Sequence, residues 1–232
     1  MNYIDIYDFI ERLLKYRIIN KHTISLLNIE HKSKALSLLR WCMDNNVVEE
    51  HDNEIKLIKP VELLISLPFF GIIPDRFSAY IEWHEFEHYI SQVFTKLNWY
   101  VYLNYKHTKV DRFQVDVIAI NEELKISLFI ECKHWKNVAN IYYNIGKIVE
   151  HHKKRVEKYL RHCEWVCVKI PKLRDTKYIL PVIIILNDLA SKVYNGIPVV
   201  SVFKLLDFAV NIDSYIDALN LKLYKNRCYR GL

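Results

Sequence analysis

Apolar residues in the first 58 positions recur at helical spacing before they begin to alternate. Ile6, Phe9, Ile10, Leu13 and Leu14 share one face of a helix predicted over residues 4–16. A short helix is predicted over 23–27 and a third over 34–43, capped by Ser33, with Ala35, Leu36, Leu38, Leu39 and Trp41 apolar. Asn45-Asn46 ends it. Residues 47–51 and 54–58 then flank Asp52-Asn53, residue types that accept a tight hairpin turn. The stretch 60–77, holding Pro60, Pro68, Gly71 and Pro74, reads as a linker.

From Ser78 the periodicity changes. A helix is predicted over 80–97, and alternating runs at 99–105, 114–120 and 126–132 read as strands. A long helix over 138–161 follows, then strands at 165–170, 178–186 and 198–203 and a helical tail over 205–224. This order predicts an α/β fold for residues 78–232, a mixed sheet flanked by helices. Helix, helix, helix, hairpin over residues 1–59 is the order of a winged helix, and a small winged-helix-like domain is expected there. In such a domain the third helix reads DNA from the major groove. Here that helix offers Lys32, Lys34 and Arg40, but Glu49, Glu50, Asp52 and Glu54 make the hairpin acidic, which repels phosphate. Dimerisation or partner docking is therefore its expected role.

Composition excludes some classes outright. Of 232 residues 51% are hydrophobic and only 4 are Gly, too much apolar surface for a disordered chain. The longest apolar stretches, 61–73 and 179–186, fall short of the ~18 residues that would span a bilayer. Asp5, Asp8 and Glu11 follow Met1 where a signal segment would be basic, so a cytoplasmic protein without membrane segments is expected. The 5 Cys form no CxxC pair, and buried thiols are expected in place of a disulfide framework or a zinc ribbon. Cys163 and Cys167, near His151, His152 and His162, leave a metal site there open.

Charge is uneven. Residues 1–75 hold 9 Lys and Arg against 11 Asp and Glu, and residues 76–232 hold 24 against 16, so the net +6 lies wholly in the second part. At helical spacing Lys147, His151, Lys154, Lys158 and Arg161 form one stripe, opposite Ile148, Val149, His152, Val156, Tyr159 and Leu160. A DNA-facing stripe and an ordinary solvated face both fit.

Three segments carry candidate chemistry: Phe86-Glu87 on the helix, Gln114-Val-Asp116 on one strand and Glu131-Cys-Lys133 on the next. A hairpin turning at 122–124 sets Ile120 opposite Ile126 and Asp116 opposite Ile130, so one register step or the strand twist brings Asp116 and Glu131 into range of one ion. Lys133 lies two residues beyond Glu131 on the same strand face, and Cys132 points into the core. Two carboxylates and a lysine amid a buried sheet are costly unless they serve a function. A hard cation such as Mg²⁺ takes oxygen ligands, and a lysine beside it can hold or deprotonate an attacking water.

The string from Phe86-Glu87 through Val115-Asp116-Val-Ile-Ala119 to Glu131-Cys-Lys-His-Trp-Lys136 resembles the PD-(D/E)XK nuclease superfamily. It looks most like the Mrr-like restriction endonucleases and the archaeal Holliday-junction resolvases. The resemblance implies a restriction-endonuclease-like α-β-β-β-α-β core over roughly Ser78 to Phe208. It implies Mg²⁺, with Mn²⁺ able to substitute, held by Asp116, Glu131, the Cys132 carbonyl and Glu87. Glu87, Asp116, Glu131 and Lys133 would form the catalytic set, with Lys133 positioning the water. Lys136, Lys147, Lys154, Lys158 and Arg161 would bind DNA. A Gln or Asn on the following helix is frequent in the family, and Asn137, Asn140 and Asn144 are the candidates. Where Mrr-like proteins carry a Gly-rich loop before the Asp, this chain has Lys109-Val-Asp-Arg-Phe-Gln114. The expected activity is Mg²⁺-dependent hydrolysis of DNA by a restriction-type or structure-specific endonuclease. A symmetric homodimer would supply the two sites that cutting both strands requires.

Two rivals stand beside this reading. His84-Glu85-Phe86-Glu87-His88 matches the zinc-protease pattern H-E-x-x-H, but no His or Gly follows at the spacing of a third ligand. A nuclease-like fold that binds DNA or a partner without cutting is the other.

Overall fold

The computed structural model describes residues 4–134, 138–187, 190 and 192–231, the side chains of 138–142 excepted. The chain forms two compact units, one through Glu85 and one from Phe86.

In the first unit α1 (Ile6–Tyr16) opens on Asp5, whose carboxylate accepts from the Asp8 amide at 2.7 Å, and closes where Arg17 turns to φ 63°. It buries Ile6, Phe9, Ile10, Leu13 and Leu14, the predicted face. β1 (Ile18–Asn20), α2 (His22–Ser25), α3 (Ile29–Asp44), β2 (Val48–His51) and β3 (Glu54–Leu57) follow, and antiparallel pairing in the order β1-β3-β2 makes a three-stranded sheet. Asn28, not Ser33, caps α3, accepting from the His31 amide at 2.9 Å, so the helix starts earlier than its apolar pattern suggests. Three-residue β1 is too short for alternation to announce it; pairing with β3 makes it a strand.

Residues 60–77, expected as a linker, are mostly helical. α4 (Pro60–Ser66) and 3₁₀ turns at Leu67–Phe70 and Asp75–Tyr80 bury Val61, Leu63, Leu64, Leu67 and Phe77. Phe77 stacks on Tyr7 with ring centroids 6.1 Å apart, and the Tyr80 hydroxyl donates to Glu11 at 2.7 Å. Pro at a first helical turn and Gly71 in the left-handed position after a helical turn are start and stop signals, the same residue types that mark loops.

The second unit is an α/β domain. α5 (Trp83–Lys96, which begins in the first unit), β4 (Tyr100–His107), β5 (Phe113–Asn121), β6 (Ile126–Lys133), α6 (Val138–Lys169) and β7 (Tyr178–Ile185) follow the restriction-endonuclease-like order α-β-β-β-α-β. With β8 (Lys192–Tyr194) and β9 (Ile197–Ser201) the sheet runs β4-β5-β6-β7-β9-β8, antiparallel through β6, parallel from β6 to β9 and antiparallel again at β8. α7 (Leu205–Val210) and α8 (Ile212–Ala218) precede β10 (Tyr224–Lys225), which pairs with the start of β7. The predicted single tail helix thus breaks at Asn211.

α6 packs Val156, Tyr159, Cys163, Val166 and Cys167 against Val115, Ile118, Ile120 and Phe129. Phe129 meets Tyr159 edge-on at 4.8 Å, both fully buried. Phe129→Ala is expected to cost about 3–5 kcal/mol in urea unfolding, the usual range for a large side chain removed from a core. Of residues 165–170, predicted as a strand, 165–169 complete α6 beyond a kink at His162 (φ −121°, ψ 19°). Val166 and Cys167 finish the buried face of the helix, and that packing outweighs their strand preference. Cys163 is bonded to Cys228, 65 residues on, where unpaired thiols were expected; Cys42, Cys132 and Cys167 are free and buried. Among the described residues no helix is long and apolar enough to cross a membrane.

Candidate active site

The β5–β6 hairpin pairs Ile120 with Ser127 and Asn121 with Ile126, one step from the predicted register. Lys125 is the reason: at φ 52° it belongs to the turn, its amide donating to the Glu122 carbonyl at 3.3 Å. Continued toward the open end, this register sets Asp116 across from Glu131.

The Cys132 amide crosses the strands to donate to Asp116 Oδ2 at 2.9 Å. Glu131 Oε1 lies 2.6 Å from Lys133 Nζ, and Arg155 of α6 holds Oε2. Glu87 on α5 accepts at Oε2 from Asn104 Nδ2 at 2.9 Å, and Asn104 in turn accepts from Gln114 at 3.3 Å. Glu87, Asp116 and Glu131 are only 4%, 7% and 3% exposed. Burial pushes the Asp116 carboxyl up to about 6, with Glu131 and then Glu87 adding repulsion; the Cys132 amide and Lys133 oppose them. The four residues expected as the catalytic set therefore lie together, close enough to act on one another's charge.

Arg155 escapes the sequence reading. On a helical wheel it falls between the basic stripe and the apolar face, and that border position is the signal that could have found it. Nothing local marks Asn104, whose φ of 51° sits in the left-handed region that Asn tolerates. Beneath the site His152 is fully buried and donates from Nε2 to the Phe129 carbonyl at 2.7 Å; burial lowers it to about 4, so it is neutral.

The structure separates the members of the stripe. His151, Lys154 and Lys158 line a concavity of ≈ 250 Å³ together with Arg112, Phe113 and Arg155. Arg161 is paired with Asp111 at 3.0 Å, and Lys147 lies 5.7 Å from the Tyr143 ring. Asp111, at φ 57° in the loop between β4 and β5, thereby ties that loop to α6. Lys136 and Asn137 lie outside the described residues, as does the Asn140 side chain; Asn144 is half-buried.

The H-E-x-x-H helix does not form a zinc site. His84 and His88 are exposed beside Glu82 and Gln92, at 3.2 and 2.9 Å, and Glu85 is held by Arg17 at 2.8 Å. Among the described residues no three His, Cys, Asp or Glu side chains close into a metal cage, at Cys163 and Cys167 included.

A restriction endonuclease family, the Mrr catalytic domain, matches residues 79–149, a segment that holds Glu87, Asp116, Glu131 and Lys133. No curated protein matches the chain. Among solved structures, protein VC1899 from Vibrio cholerae is similar with a TM-score of 0.39 and 11% identity, over 92% of this chain and 56% of that one. The chain thus spans little more than half the length of that protein. Residues 79–149 thus match a restriction-endonuclease domain of the Mrr-like PD-(D/E)XK type, and the elements from α5 to β7 that contain them follow the α-β-β-β-α-β order.

Proposed function

We propose that the chain is a metal-dependent DNA endonuclease whose catalytic residues are Glu87, Asp116, Glu131 and Lys133. The observation that carries this reading is the buried pair Asp116 and Glu131, with Asp116 raised to about 6 and Lys133 2.6 Å from Glu131. Buried carboxylates that repel one another fit a hard divalent cation, Mg²⁺ or Mn²⁺, with the Cys132 carbonyl as a further oxygen. Once bound, the cation would supply Lewis-acid polarisation of a phosphodiester and a lower pKa for a bound water. Lys133, a quarter exposed, would position that water from the strand face it shares with Glu131. Asn104 would hold the Glu87 carboxylate in place.

DNA would lie along Lys136, Lys147, Lys154, Lys158 and Arg161, with Arg161 shared with Asp111. A homodimer would bring two such sites to a duplex. The helices α1, α2 and α3 and the three-stranded sheet of the first unit support a winged-helix-like domain. Its α3 offers a groove of ≈ 400 Å³ lined by Leu36, Trp41 and Phe70 with Arg40 and Asp44, which favours docking a partner over reading DNA.

The test is cleavage of plasmid, linear duplex and four-way junction DNA with Mg²⁺, Mn²⁺ or EDTA. Cutting that EDTA abolishes is the expected result. DNA bound but never cut, with either metal, would move the assignment to a binding module.

A further inference from the structure

Both Glu131 oxygens are already engaged, one by Lys133 and one by Arg155, so a cation must compete for them. The same Arg155 lines the ≈ 250 Å³ concavity with Arg112, His151, Lys154 and Lys158, room for several waters at ≈ 30 Å³ each. Among the described residues no acidic one lines it. Among the described residues Arg112, Lys154 and Lys158 have no carboxylate in ion-pair reach, unlike Arg161 and Lys153 on the same helix. Lys158 donates to the Arg112 carbonyl at 3.0 Å, which fixes the far wall. Four cations gathered in one small hollow repel each other until an anion neutralises them, and a guanidinium holds phosphate as well as it holds a carboxylate.

We infer that this concavity is a phosphate site and that its occupation draws Arg155 off Glu131, freeing that carboxylate for the metal. The inference rests on the nuclease reading and deepens it. Arg155 is a positioning residue in this scheme: it couples the arrival of a nucleic-acid phosphate to assembly of the metal site, and linkage makes the coupling reciprocal. Metal would then bind weakly until substrate is in place.

The experiment is Mn²⁺ binding to the full chain, followed by electron paramagnetic resonance of the free ion, with and without sulfate as the phosphate probe. Sulfate is expected to tighten wild-type binding about 10-fold, within the usual range of such couplings. Arg155→Gln should bind Mn²⁺ without sulfate as tightly as wild type does with it, and show no response. The double variant Lys154→Ala, Lys158→Ala removes two cations from the hollow and keeps the Arg155–Glu131 pair. It should lose the response to sulfate. An unchanged affinity on adding sulfate, weaker Mn²⁺ binding by Arg155→Gln, or a response retained by the double variant would each overturn the inference while leaving the nuclease reading intact. Mn²⁺ binding that Asp116→Asn does not weaken would overturn both. Duplex affinity in EDTA identifies the phosphate. If 5′-phosphorylation strengthens binding through Lys154 and Lys158, the site takes a terminal phosphate; if 5′-phosphate and 5′-hydroxyl duplexes lose equally in the double variant, it takes an internal one. A double variant that binds both duplexes like wild type overturns the site.

Discussion

Lys133→Ala is expected to lower metal-dependent DNA cleavage by about 10²–10⁴-fold, the usual contribution of a positioned acid or base, with DNA affinity little changed. The fold should survive, because Arg155 still pairs with Glu131 and no buried charge is left without a partner. Lys133→Arg is expected to remain inactive. A guanidinium keeps the charge but is always protonated and larger, so it can neither take a proton nor occupy the ammonium's position. Single-turnover cleavage beside anisotropy binding separates the two effects. A folded Lys133→Ala protein that cuts at the wild-type rate would remove Lys133 from the catalytic set.

Asp116→Asn is expected to do the opposite to stability of what it does to activity. Folding raises the Asp116 pKa from 3.8 to about 6, so between those values the folded state holds a proton that the unfolded chain has lost. Stability from this group is therefore full below pH ~4 and lost as pH rises through about 6, about 3 kcal/mol as an upper bound. His152 has the reverse sign. Its pKa falls from 6.5 to about 4, so its contribution is present above 6.5 and is lost as acid drives it through 4, a similar amount. Between pH 4 and 6 the two slopes oppose each other in the wild type. With Asn at 116 the His152 slope is no longer opposed by that carboxyl. Urea unfolding in EDTA should then show a variant more stable than wild type near pH 7.5, by at most about 3 kcal/mol, steeply losing stability toward pH 4.5, and inactive. Equal pH slopes in the two proteins would mean that Asp116 is not held under electrostatic strain.

Much of this was legible locally. The apolar face of α1, the α5–β4–β5–β6–α6–β7 order and the strand face shared by Glu131 and Lys133 all follow from periods of 3.6 and 2, which adjacent side chains impose on one another. Glu-Cys-Lys on a buried strand pointed to the candidate chemistry because buried charge is costly to keep without a use. Other features depend on partners distant in the chain. The one-step register that sets Asp116 across from Glu131 depends on a left-handed Lys125, and Arg155 reaches Glu131 across 24 residues. Cys163 finds Cys228, and Pro60 and Phe77 lie in helical turns, not in a linker. Helix and strand periods say which face a residue takes, whereas the partner on that face is chosen by packing and charge among segments that the chain brings together only on folding.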